Sequence, residues 1–109
     1  MIDTNKLVPA YTPSPGEILS MELEARGWSQ RQFARIIDKP HQSVNEILLA
    51  KKQIMPETAL RIAAALGTSA DLWINLEADY RLSLARQRIP PQILVEIAAR
   101  STQSSINHT

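Results

Sequence analysis

The sequence predicts an all-α domain of five helices, and three observations carry that prediction. Aromatic residues make up only 5% of the chain while Ala, Leu and Ile are frequent, a composition that suits a helical bundle better than a sheet sandwich. Apolar residues recur at three- and four-residue spacing through most of the chain. Start and stop residues divide that run: Ser14-Pro15-Gly16-Glu17, Ser29 with Gln32, Pro56-Glu57 and Ser69 with Asp71 open helices, and Gly27 and Gly67 close them.

Residues 1–13 have no apolar period and hold Pro9, Pro13 and a lone Tyr11, so they read as an extended arm. Two readings stay open for it: a disordered end, or a strap that orders on a partner. The first helix follows the capping box at Ser14, carries Ile18, Leu19, Met21, Leu23 and Ala25, and ends at Gly27. Glu17, Glu22 and Glu24 lie mostly on its wet side. Trp28 before the next cap and Phe33 at the fourth helical position form a hydrophobic staple, which assigns Trp28 to packing.

The second helix runs from about Gln30 to Ile37, with Phe33, Ala34 and Ile37 facing inward. Asp38-Lys39-Pro40 interrupts it, because proline disfavours the α region for the residue before it. A third helix runs from His41 to about Leu49. Val44, Ile47 and Leu48 form its narrow apolar stripe and leave a polar outer face. Two short helices joined by a tight turn, the second with a small hydrogen-bonding face, are the helix-turn-helix design, whose second helix fits a B-DNA major groove.

Beyond a polar loop, Ala50-Lys51-Lys52-Gln53, the fourth helix spans Glu57 to Leu66. It is apolar on nearly every side, through Ala59, Leu60, Ile62, Ala63, Ala64, Ala65 and Leu66, and is expected at the centre of the core. The fifth, about Ala70 to Gln87, has two apolar stripes. Leu72, Trp73, Leu76 and Tyr80 make the first, enough to seal a small core. Ile74, Ala78, Leu82, Ala85 and Ile89 make the second, which a homodimer would cover. Pro90-Pro91 ends this helix; Gln92 to Arg100 suits a short amphipathic helix or a partner surface, and the polar end after it is expected to fray.

A chain of 109 residues has room for one modest core plus tails, and its net charge is only +1. The distribution says more than the sum. Lys6 faces Asp3, Glu17, Glu22 and Glu24 in residues 1–25, whereas residues 26–52 hold Arg26, Arg31, Arg35, Lys39, Lys51 and Lys52 against Asp38 and Glu46. Positive charge therefore gathers on the two-helix motif. No cysteine is present, which excludes disulfides and thiolate metal sites and points to a reducing, cytoplasmic setting; no apolar run is long enough to span a membrane. His41 and His108 are the only histidines, and no glycine-rich phosphate loop occurs. Neither catalysis, a metal nor a cofactor is expected.

From about Pro15 to Arg86 the sequence resembles the HigA-type antitoxins of the XRE/Cro-like helix-turn-helix family. The residues that carry the resemblance are Pro15-Gly16-Glu17-Ile18-Leu19, Ser29-Gln30 with Phe33-Ala34, and Val44-Asn45-Glu46-Ile47-Leu48. They continue with Ala59-Leu60-Arg61-Ile62-Ala63, Ala65-Leu66-Gly67-Thr68-Ser69, Leu72-Trp73-Ile74-Asn75-Leu76 and Tyr80. The resemblance implies a five-helix lambda-repressor-like fold with a long C-terminal dimerisation helix. It further implies a homodimer on a palindromic operator, repression of the protein's own operon and neutralisation of a HigB-type mRNA-cleaving toxin. Residues 1–13 would then be an arm, 14–88 the DNA-binding and dimerisation domain, and 89–109 a tail. Two departures stand out: Leu49-Ala50 replaces the family's usual Asn-Gly, and Asp38 takes the place of a turn glycine.

On this reading His41, Gln42, Asn45 and Glu46 read base edges, because Gln and Asn pair with adenine and Glu accepts from cytosine. Gln30, Arg31, Ser43, Lys51 and Lys52 hold phosphates and set register. A basic toxin would meet the acidic first helix and the arm, through Leu7, Val8, Tyr11, Glu22 and Glu24. A regulator without a toxin, and an adaptor that no longer binds DNA, are the alternatives.

Overall fold

The structure, a computed structural model, describes residues 11–107. Among them are six helices and no strand: α1 (Pro15–Arg26), α2 (Gln30–Ile37), α3 (His41–Leu48), α4 (Pro56–Leu66), α5 (Ala70–Arg88) and α6 (Pro91–Asn107). No helix among the described residues is long and apolar enough to cross a membrane.

The helix starts are made by the side chains the sequence marks. Ser14 accepts from the Glu17 N–H at 3.2 Å while the Glu17 carboxylate accepts from the Ser14 N–H at 2.9 Å, closing the capping box. Ser29 and Gln32 do the same for α2, at 3.1 and 2.7 Å, and Ser69 accepts from the Leu72 N–H at 3.1 Å. Gly27 and Gly67 end α1 and α4 in the left-handed region, with φ of 69° and 74°. The Trp28 and Phe33 rings stack 6.2 Å apart across the entry to α2.

The core gathers one face from each of α1 to α5. Leu19 and Leu23, Phe33, Ala34 and Ile37, Val44 and Ile47, Ala59, Ile62, Ala63 and Leu66, and Trp73 are all buried. Trp73 is the largest of them, and its indole N–H donates to Thr68 Oγ1 at 2.8 Å, so the ring is buried with its polar edge satisfied.

Four expectations change. The fold has six helices, not five: α6 continues through the polar end expected to fray, because no Gly or Pro interrupts residues 92–107. All of residues 91–104 are exposed, including Ile93, Leu94, Val95 and Ile97, so α6 stands away from the core. A radius of gyration of 19.0 Å, against roughly 13 Å for a compact domain of this size, reflects that projection. α4 is buried on one face only; Leu60 is 63% exposed and Ala64 is also exposed, because α2 and α5 cover just one side of it. Leu72 leaves the core stripe of α5 at 41% exposure, and Glu77, one turn after Trp73, is buried there instead.

Among the described residues, two that are not glycine take positive φ, Asp38 at 56° and Ala50 at 61°. These are the two positions at which the resemblance to the HigA-type antitoxins implies a glycine. Aspartate tolerates the left-handed region; alanine pays for its Cβ there. Replacing Ala50 with Gly should therefore stabilise the fold by about 0.5–1 kcal/mol, the strain relieved less the extra chain entropy lost. Urea denaturation of the two proteins measures this.

Candidate nucleic-acid interface

The candidate surface is the outer face of α3 and the loop that follows it. At 100° per residue, Gln42, Glu46 and Leu49 fall on the strip opposite Val44 and Ile47. Gln42 is exposed and Leu49 is 55% exposed; His41, Ser43, Asn45 and Glu46 are half-buried along the edges. The structure thus brings the four expected base readers onto one short helix, with Gln42 the most exposed of them. Leu49 shares that strip but was not expected there, since the reading of the sequence ended the polar face at Glu46.

Beyond the helix, the N–H groups of Lys51 and Lys52 both donate to the Glu46 carbonyl, at 2.9 and 3.3 Å. The loop therefore folds back on the end of α3, and both lysine side chains leave it into solvent. Gln30 and Arg31 occupy the first turn of α2, half-buried and exposed respectively, where unpaired backbone N–H groups favour an anion.

Three contacts that the sequence reading missed hold this surface. The first lies in the turn before α3. Arg61 of α4 donates to the Ile37 carbonyl at 2.8 Å, pairs with Glu57 at 3.7 Å, and so caps the C-terminus of α2 beside left-handed Asp38. Lys39 also pairs with Glu57, at 3.5 Å. The second lies at the far end of α3. A Cβ on Gly16 would stand 2.3 Å from the Ile47 carbonyl oxygen and 2.6 Å from that of Leu48, so the start of α1 touches the end of α3 backbone to backbone. The third lies on the loop. Glu77, 7% exposed, accepts from the Ile54 N–H at 2.7 Å and from Arg81 Nε at 2.6 Å. Its spacing offered a signal: Glu77 is four residues after Trp73 and three before Tyr80, on the core stripe.

The remaining expected residues are spread more widely. Ala78, Leu82 and Ala85 form an exposed strip on α5, whereas Ile74 packs in part against the protein's own core and Ile89 is half-buried. Glu24 is exposed, and Glu22 pairs with Arg26 at 2.5 Å. The ring of Tyr11 is 64% exposed, but its hydroxyl donates to the Glu17 carboxylate of the α1 capping box. That bond raises the Tyr11 pKa and lowers that of Glu17, which the Ser14 backbone N–H lowers further. Leu7 and Val8 lie outside the described residues. No group of His, Cys, Asp and Glu side chains among the described residues has the arrangement of a metal site.

A helix-turn-helix family model matches residues 19–73, from the middle of α1 to Trp73. The chain belongs to the helix-turn-helix family, in its HigA-like branch. An addiction-module antidote protein of the HigA family from Coxiella burnetii is 34% identical, with a TM-score of 0.73 over 78% of this chain and 94% of that one. Pseudomonas aeruginosa antitoxin HigA, solved with the higBA promoter, is 32% identical, with a TM-score of 0.72 over 76% of this chain and 91% of that one. The Escherichia coli K12 protein YddM, an uncharacterised HTH-type transcriptional regulator, is 29% identical over 80 residues, 73% of this chain and 85% of its own length.

The Gly16 contact yields a direct test. At an open helix position Gly→Ala stabilises by up to about 1 kcal/mol. Here the added Cβ meets backbone that cannot rotate away, so Gly16→Ala should cost about 1–3 kcal/mol. Ser20→Ala on the exposed side of the same helix should stay within about 0.5 kcal/mol of the parent. Chemical denaturation of the three proteins decides it.

Proposed function

We propose that this protein is an antitoxin that binds operator DNA as a homodimer, represses its own operon and neutralises a HigB-type mRNA-cleaving toxin. The observation that carries the DNA half of this reading is the outer face of α3, with Gln42 exposed, Glu46 one turn on, and the loop of Lys51 and Lys52 folded back on its end. Gln42 is suited to adenine and Glu46 to the cytosine amino group, each good pair discriminating by roughly 1–3 kcal/mol. His41 and Asn45 flank them. Lys51, Lys52, Ser43, Arg31 and Gln30 take phosphates. The likeness to an antitoxin solved with its promoter supports the same reading.

A second copy of the chain would cover Ala78, Leu82 and Ala85 on α5, with Ile89 at the edge, and set the two α3 helices roughly 34–36 Å apart, one duplex turn. The operator would then carry two-fold symmetry. The toxin half rests on the acidic α1 and the arm before it, which suit a basic partner. Glu24 is free to meet one, whereas Tyr11 and Glu22 would have to exchange their bonds to Glu17 and Arg26 for new ones. A regulator without a toxin is the second reading, favoured by the similarity to a protein described only as a transcriptional regulator.

Two experiments divide these readings. In a gel shift on the DNA ahead of its own operon, Gln42→Ala should weaken specific binding about 5- to 150-fold and leave binding to random duplex within about twofold. Equal losses on both would remove Gln42 from the readers. Co-expression with the neighbouring reading frame tests the toxin: rescue of a frame that is lethal alone supports the antitoxin, and a harmless neighbour leaves the regulator.

A further inference from the structure

The reading helix ends without a glycine, and the segment after it has to place two cations against a duplex. That segment is held at both ends. At its start, the Lys51 and Lys52 N–H groups bond the Glu46 carbonyl; at its finish, Ile54 is 3% exposed and its N–H donates to Glu77. Between these points Lys51, Lys52 and Gln53 are exposed. We propose that Glu77 is a positioning residue for phosphate contact, fixing on α5 the loop that carries Lys51 and Lys52. The inference rests on the DNA-binding reading above.

Packing alone does not call for an acid at this place. An apolar side chain would fill the same core stripe between Trp73 and Tyr80, yet it would leave the Ile54 N–H buried and without an acceptor. The carboxylate uses one oxygen on the loop and the other on Arg81, whose guanidinium also lies over the Tyr80 ring at 5.3 Å. Arg81 thereby fixes the carboxylate's orientation, and the carboxylate fixes the loop. Glu77 is also next to Ala78, on the exposed strip of the same helix. The helix proposed to meet the second subunit therefore sets the place of the phosphate-binding lysines in each subunit.

The test uses the full chain and a fluorescent duplex selected from a random pool with the parent protein. Binding is measured from about 50 to 200 mM salt, where each phosphate contact adds about 0.9 to the slope of log K against log salt. Glu77→Ala should lower that slope by about 1–2, and should change nothing further in a Lys51→Ala/Lys52→Ala background. Glu77→Gln keeps an oxygen for Ile54 and should retain most of the slope, which provides a folded variant if Glu77→Ala does not fold. In the absence of DNA, exchange of the Ile54 amide proton should accelerate at least about tenfold in Glu77→Ala and much less in Glu77→Gln. An unchanged slope in Glu77→Ala, an equal loss in the lysine-free background, unchanged Ile54 exchange in Glu77→Ala, or Ile54 exchange in Glu77→Gln as fast as in an unrestrained loop overturns the proposal. A parent protein that selects no duplex even at the lowest salt overturns the DNA-binding reading instead, and the exchange measurement still decides whether Glu77 holds the loop.

Discussion

The backbone contact between Gly16 and the end of α3 is the constraint on which the rest depends. α3 has eight residues, no side-chain cap at its start and no glycine at its end. A helix that short does not persist by itself, so its direction must come from what it touches. Val44 and Ile47 fix its roll by burying one stripe, but a buried stripe still lets a short helix slide along its axis. The carbonyls of Ile47 and Leu48 against Gly16 remove that freedom, because backbone meets backbone with no side chain to yield. The start of α1 is in turn made rigid by the Ser14–Glu17 capping box, which holds Gly16 between its two partners.

With that end fixed, the other contacts fall into a chain of local causes. Asp38 in the left-handed region turns the backbone out of α2, and Arg61 from α4 closes the carbonyl left open there. Ala50, also left-handed, turns the backbone out of α3, and Glu77 from α5 receives it at Ile54. Each turn beside α3 thus has one charged side chain from a later helix bonded to its backbone. What remains free is the strip through Gln42 and Glu46, with positive charge clustered around it in sequence. A short polar face on a helix whose position is so determined is suited to recognising a rigid partner, and the major groove is one.

Much of this was legible from residues alone because its causes are local. Capping boxes, left-handed glycines and a 3.6-residue period act over four or five positions, and they correctly placed α1 to α5 and most of the core. The all-α class follows from the same signals, whereas the HigA-like resemblance rests on particular residue stretches such as Val44–Leu48 and Ala65–Ser69. The rest needs long-range information. Arg61 reaches a carbonyl 24 residues earlier, and Glu77 an amide 23 residues earlier, so no window of sequence contains either pair. Leu60 is exposed because α4 is covered on one side only, which composition does not encode. The length of α6 was missed for a different reason: polar Ser and Thr suggested fraying, while the lack of any Gly or Pro leaves the helix uninterrupted.

The account turns on one surface, and backbone amide NMR of the labelled protein titrated with its selected duplex examines it most directly. Shift changes should concentrate in His41–Glu46 and Lys51–Gln53, with smaller ones at Gln30 and Arg31. Changes centred on α1 or on the exposed side of α4 around Leu60, with the amides of α3 unmoved, would contradict it.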